Sequence, residues 1–125
     1  MILDTNALSA FAEGDRDLRR VFEGASNLYL PSIVLGEYLF GIRQSKRRAI
    51  YESWLETSMG LFRSLNVGKR TASCYADIRI QLKMAGTPIP ENDVWICALA
   101  QENSMPVVTR DGHFLSVTTI NVLTW

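Results

Sequence analysis

Met1-Ile2-Leu3-Asp4-Thr5-Asn6 opens the chain with a short apolar run that ends on an acid. The run reads as a buried strand, and Asp-Thr-Asn directly after it as a strand end passing into a helix. Pro106-Val107-Val108-Thr109 repeats the pattern: a strand, then Arg110, Asp111 and a turn at Gly112. Between them, Leu28-Tyr29-Leu30 reads as strand two, stopped by Pro31, and Ser64 to Val67 as strand three; Ile120 to Leu123 reads as strand five. Helices are expected over Asn6 to Ala12, Asp15 to Gly24, about Ser32 to Ile42 with Ser32 as N-cap, and Ser45 to about Leu61. Two more run from Lys69 to Ala85, stopped by Gly86, and from about Glu91 to Glu102. Short strands alternating with helices predict an α/β protein, a three-layer α/β/α sandwich around a mainly parallel sheet of four to five strands. Right-handed crossovers then place functional groups at the carboxyl ends of strands, where Asp4 and Asp111 both fall.

The 125 residues fit one domain, 1–125, with no linker, repeat or low-complexity segment, and are enough to bury a core. No apolar run approaches a membrane span and no signal peptide is read at Met1. Cys74 and Cys97 stand far apart and in no CxxC pattern, which argues against a disulfide framework or a zinc site and for a reducing, cytoplasmic setting. Thirteen basic and thirteen acidic residues cancel. Affinity for a polyanion must then come from a local patch, a metal or a second subunit.

Four acids sit beside core-forming sequence: Asp4 after Ile2-Leu3, Glu37 within SIVLGEYLFGI, Asp93 before VWICALA, and Asp111 after Val107-Val108-Thr109. Each has a plain structural explanation. Asp4 starts a helix, Asp93 lies in a first helical turn where negative charge gains roughly 0.3–1 kcal/mol, and Asp111-Gly112 is a turn pair. Glu37 is the hardest to explain this way, being surrounded by apolar residues at almost every azimuth. Gly36 and Gly41 flank it, each costing a helix about 1 kcal/mol relative to Ala, as if the backbone had to approach another element closely. Together the acids suggest one cluster. Two carboxylates about 5 Å apart repel by roughly 3 kcal/mol at an effective dielectric near 20, and several such pairs rival the whole stability of a domain, about 5–15 kcal/mol. A hard divalent ion held by oxygen ligands, Mg²⁺ or Mn²⁺, removes the conflict and suits phosphodiester hydrolysis. Asn6 and Thr109, with short polar side chains next to the acids, read either as groups that orient them or as plain cap and strand-end residues. Asn92 reads as a helix-start residue.

In this order the residues resemble the PIN-domain family, specifically the VapC-type ribonuclease toxins of prokaryotic toxin–antitoxin pairs. The resemblance spans nearly the whole chain. It rests on Leu3-Asp4-Thr5-Asn6, on Pro31-Ser32 followed by Glu37, on Gly86 to Ala100 (GTPIPENDVWICALA) and on Val108 to Phe114 (VTRDGHF). It implies the same sandwich, Mg²⁺- or Mn²⁺-dependent endoribonuclease activity on RNA, a homodimer and a cognate antitoxin. Position by position, Asp4, Glu37, Asp93 and Asp111 match the family's acidic quartet, as catalytic and metal-holding residues, and Asn6 and Thr109 match its polar neighbours.

Arg43, Lys46, Arg47 and Arg48 form a basic cluster that reads either as an RNA- or antitoxin-contact patch or as a solvated helix start. A single histidine, His113, excludes a histidine-pair ribonuclease and reads as a turn or packing residue. There is no G-x-S-x-G elbow, and Gly68-Lys69-Arg70-Thr71 lacks the rest of a P-loop. Trp54, Trp95 and Tyr75 read as core or dimer interface. A receiver-type phosphoacceptor domain would need a lysine after a late strand, where Thr109-Arg110-Asp111 has none. The alternative to the nuclease is a PIN-like binding module with weak or no catalysis, marked by tight RNA or protein binding without a metal requirement.

Overall fold

The computed structural model describes residues 1–125. Five short strands form one sheet: β1 (Ile2–Leu3), β2 (Leu28–Pro31), β3 (Phe62–Leu65), β4 (Val107–Val108) and β5 (Val122–Leu123). Their order is β3-β2-β1-β4-β5, and every neighbouring pair is parallel. The chain builds outward from β1 to β3, returns to place β4 on the other side of β1, and ends on β5. The order therefore reverses between β1 and β4, and the crevice beyond their carboxyl ends is where an open α/β sheet takes a ligand.

Six helices cover the sheet: α1 (Thr5–Ala12), α2 (Arg16–Glu23), α3 (Ser32–Arg43), α4 (Arg48–Ser58), α5 (Lys69–Ala85) and α6 (Glu91–Asn103). With the all-parallel sheet this is the α/β/α sandwich expected. α1 packs on α3 and α4, while α5 packs along α6, which also reaches α3. Parallel strands buried on both faces need apolar side chains throughout, and Ile2, Leu3, Val107 and Val108 are all fully buried. They join a cluster of 23 buried residues that takes in Leu8, Val34, Ile78, Ile96 and Leu99. α6 is nearly apolar all round, from Val94 through Ala100, as befits a helix sunk in the interior. No helix is long and apolar enough to cross a membrane.

Several boundaries differ from the sequence reading. Ser32 is the first residue of α3 rather than its cap; Pro31 holds the cap position, and the Ser32 hydroxyl donates to Asn66 Oδ1 at 2.7 Å instead. α4 begins at Arg48 and ends at Ser58, where a single 3₁₀ turn (Met59–Leu61) leads straight into β3 at Phe62. Trp54 packs edge-on against Phe11 and Tyr38 under the α1–α3–α4 layer, and Trp95 stacks on Tyr75 at 4.0 Å between α5 and α6.

Candidate metal centre

β1 delivers Asp4 to the crevice. Its backbone is extended, so its carboxylate turns back to cap α1: Oδ1 accepts from the Thr5 amide at 2.6 Å. The capping and site explanations for Asp4 thus coexist, because the second oxygen does other work. Oδ2 accepts from Asn6 Nδ2 at 2.6 Å and from Thr109 Oγ1 at 2.8 Å. Thr109 is buried just past β4 and fully satisfied, also accepting from Asn6 Nδ2 at 2.9 Å and from the Asp111 amide at 2.9 Å. Asn6 Oδ1 in turn accepts from the Arg110 amide at 3.1 Å. Asn6 and Thr109 thus lock the ends of β1 and β4 together.

Glu37 projects from α3 into the same crevice, half-buried. Thr5 Oγ1 donates to its Oε2 at 2.6 Å and Asn92 Nδ2 to its Oε1 at 2.7 Å. Nothing local in the sequence marks Thr5 for this role, and Asn92 does more than start α6. A threonine and an asparagine that meet a glutamate from distant parts of the chain leave no local signature; adjacency to Asp4 and Asp93 was the only available hint. Gly36 and Gly41 do not serve a close approach: a Cβ at either would meet nothing within 4 Å.

Asp93 enters from the first turn of α6 and Asp111 from the start of a 3₁₀ segment (Gly112–Ser116), where Oδ1 accepts from the His113 amide at 2.9 Å. All four acids line one cleft of about 1010 Å³, together with Thr5, Asn6, Asn92 and His113. His113, expected to be a turn or packing residue, has its side chain half exposed and facing Asp111 and Asp93. Its preceding backbone turn is as expected; its ring position is not.

The electrostatics are those of crowded anions. Burial, then the carboxylates of Asp4, Asp111 and Glu37, push the Asp93 carboxyl up to about 6. A displacement from 3.8 to about 6 corresponds to about 3 kcal/mol, which outweighs the 0.3–1 kcal/mol that a helix N-terminus offers a negative charge. Burial also raises Asp4, with Glu37 and Asp111 adding to it, although the bonds from Thr109 and Thr5 oppose the rise. Beneath them, one helical turn along α6, Cys97 is fully buried, and its thiol is pushed up to about 12 by burial and by Asp93 and Asp4.

These residues fit a divalent cation. Asp93 Oδ2 is buried without a hydrogen-bond partner, unusual for a carboxylate oxygen in a polar cleft. Asp93, Asp111 and His113 offer donor atoms that all lie within 4.8 Å of one another. Asp93 and Asp111 supply carboxylate oxygens of the type that hard ions select, while Asp4 and Glu37 lie outside this close group, their oxygens bonded to Thr5, Asn6, Thr109 and Asn92.

The basic cluster lies outside this cleft. Arg43 and Arg48 pair with Glu52 at 3.8 and 2.9 Å, and Arg47 pairs with Glu13 at 3.9 Å. Only Lys46 of the four makes no ion pair.

The PIN domain family model matches residues 1–119. Ribonuclease VapC5 of Mycobacterium tuberculosis is 30% identical over 87 residues, 68% of this chain and 64% of that protein. Toxin FitB of Neisseria gonorrhoeae is 30% identical, with 93% of this chain and 91% of that protein covered. The fold is that of VapBC2 from Rickettsia felis, solved bound to a DNA fragment from its promoter: the TM-score is 0.89 at 20% identity, covering 99% and 97% of the two chains. This chain belongs to the PIN-domain family, and within it is similar to proteins named as toxins and ribonucleases.

Proposed function

We propose that this protein is an Mg²⁺- or Mn²⁺-dependent endoribonuclease acting as the toxin of a toxin–antitoxin pair, with Asp4, Glu37, Asp93 and Asp111 holding the ion. The observation that carries the reading is the cleft itself: four carboxylates from β1, α3, α6 and the β4 end, one of them with a buried oxygen that has no partner in the protein. The similarity to VapC5 and FitB supports the toxin role.

When bound, a divalent ion supplies charge stabilisation at the phosphoryl oxygens of a phosphodiester undergoing attack. The protein's own groups do the rest. Thr5, Asn6 and Thr109 fix Asp4 by both oxygens, and Thr5 with Asn92 fixes Glu37, so these carboxylates need not reorganise as charge develops. An ionised member of the quartet takes the proton of the attacking water. RNA is the substrate, a cognate antitoxin the neutralising partner, and the working form a homodimer in the cytoplasm. The Arg43–Arg48 cluster contacts RNA or the antitoxin, with Lys46 the cation free to do so.

The test is incubation with single-stranded and structured RNA in Mg²⁺, Mn²⁺ or EDTA. Internal cleavage should require the metal and fall by about 10²-fold or more in Asp4→Asn, since several kcal/mol of charge stabilisation leaves with the ion. Cleavage in EDTA, or full activity in Asp4→Asn, would overturn the proposal.

A further inference from the structure

We infer that His113 is itself a metal ligand, giving the ion a nitrogen donor beside Asp93 and Asp111 and shifting the preference of the site from Mg²⁺ toward Mn²⁺. This rests on the metal-dependent reading above and extends it to a residue outside the acidic quartet.

The geometry is local and specific. His113 Nδ1 lies 3.1 Å from Asp111 Oδ1 and 3.7 Å from Asp93 Oδ2. Adjacent donors on one octahedral ion, each about 2.1 Å from it, stand about 3 Å apart; His113 Nδ1 and Asp111 Oδ1 already have that spacing, and an inward shift of Asp93, whose donor lies within 4.8 Å of both, would complete the set. Asp93 Oδ2 is the independent mark of a missing partner. Its residue is 9% exposed, the oxygen is buried without a hydrogen bond, and the imidazole at 3.7 Å is too far to supply one.

The backbone places the ring there. Asp111 caps the 3₁₀ segment by accepting from the His113 amide, and Phe114, next in the chain, is fully buried. With Phe114 driven into the core and the turn closed by Asp111, His113 is left over the cleft it lines. A neutral imidazole binds a metal through the lone pair of one ring nitrogen. Nitrogen donors are accepted by Mn²⁺ more readily than by Mg²⁺, which favours an all-oxygen shell.

A simple hydrogen bond between His113 and Asp111 is the competing explanation, and it predicts no nitrogen on the ion. His113 is the only histidine in the chain, so in the untagged full-length protein any imidazole signal belongs to it. Pulsed electron paramagnetic resonance of the Mn²⁺-loaded protein should show a directly coordinated imidazole ¹⁴N that is absent in His113→Asn. The variant should lose about tenfold or more in Mn²⁺ affinity while its Mg²⁺ affinity, read by competition, changes by less than about twofold. Half exposure of the side chain makes the substitution compatible with folding. Bound Mn²⁺ without nitrogen coupling would overturn the inference and leave the carboxylate site standing. Failure of the wild-type protein to bind Mn²⁺ at all would overturn both.

Discussion

Thr109 Oγ1 donates to Asp4 Oδ2 at 2.8 Å, a bond between residues 105 positions apart that ties the carboxyl end of β4 to that of β1. The same hydroxyl accepts from Asn6 and from the Asp111 amide, so its removal leaves a buried carboxylate oxygen and two donors short of a partner. Thr109→Val should cost about 1–3 kcal/mol by urea denaturation, the penalty for buried polar groups stripped of one bond. Thr109→Ser, which keeps the oxygen, should cost much less. Equal losses in the two variants would mean that packing of the methyl group, not the hydroxyl network, holds the strands' ends.

Asp93 makes the stability of the metal-free protein depend on pH. Its carboxyl, raised from 3.8 to about 6, holds its proton more tightly when folded than when unfolded. The contribution is complete below about pH 4 and is lost as pH rises through about 6, a change of at most about 3 kcal/mol. Asp4 is raised in the same direction and adds to the trend. Urea melts in EDTA should therefore show wild-type protein losing more stability from pH 4 to pH 7 than Asp93→Asn does. Parallel profiles would show that burial and the neighbouring acids leave Asp93 unperturbed.

Neutralising one member of the cluster should separate stability from activity. Glu37→Gln keeps the side-chain shape, an amide oxygen to accept from Asn92 and an amide N–H that the Thr5 hydroxyl can accept, while it removes a negative charge facing Asp4 and Asp93. In EDTA its melting temperature should rise by a few degrees, the equivalent of about 1 kcal/mol. RNA cleavage in Mn²⁺ should fall by at least about tenfold. A variant as active as wild type would remove Glu37 from the site.

The two thiols should differ sharply. Cys97 is fully buried, with its thiol pushed up to about 12, whereas Cys74 is half-buried on α5. Titration of the native protein with an aromatic disulfide should label Cys97 only after unfolding, because the thiolate is the reactive form. Rapid native labelling of two thiols would show that the floor of the cleft opens.

Much of the fold was legible because local chemistry marks it. α5 runs from Lys69 to Ala85 as the helical spacing of Tyr75, Ile78 and Leu82 implied, and Gly86 ends it at φ 68°, a left-handed conformation that suits glycine. β3 begins at Phe62, two residues before the expected Ser64, because Leu61-Phe62 continue the apolar pattern of α4 and the intervening 3₁₀ turn has no marker of its own. β4 and β5 are only two residues long each, shorter than the expected Pro106 to Thr109 and Ile120 to Leu123: Val107 and Val108 pair with Ile2 and Leu3 on one side and with Val122 and Leu123 on the other. In the cleft, residue type and position at strand ends pointed to Asp4, Asp111, Asn6 and Thr109. Glu37 stands out as a charge in an apolar helix, but the glycines beside it mark no close approach, since a Cβ at either would meet nothing within 4 Å. Thr5, Asn92 and His113 stayed hidden because each meets its partner through the tertiary fold or a side-chain orientation that no spacing encodes.

The central claim is a shared cation among the four carboxylates, and the most direct measurement is an anomalous-difference map from a crystal of this protein soaked in Mn²⁺. A peak in the cleft within coordination distance of Asp4 and Asp93, lost in Asp93→Asn crystals, is the predicted result. A cleft without a peak at saturating Mn²⁺, or manganese bound only elsewhere on the surface, would contradict the account.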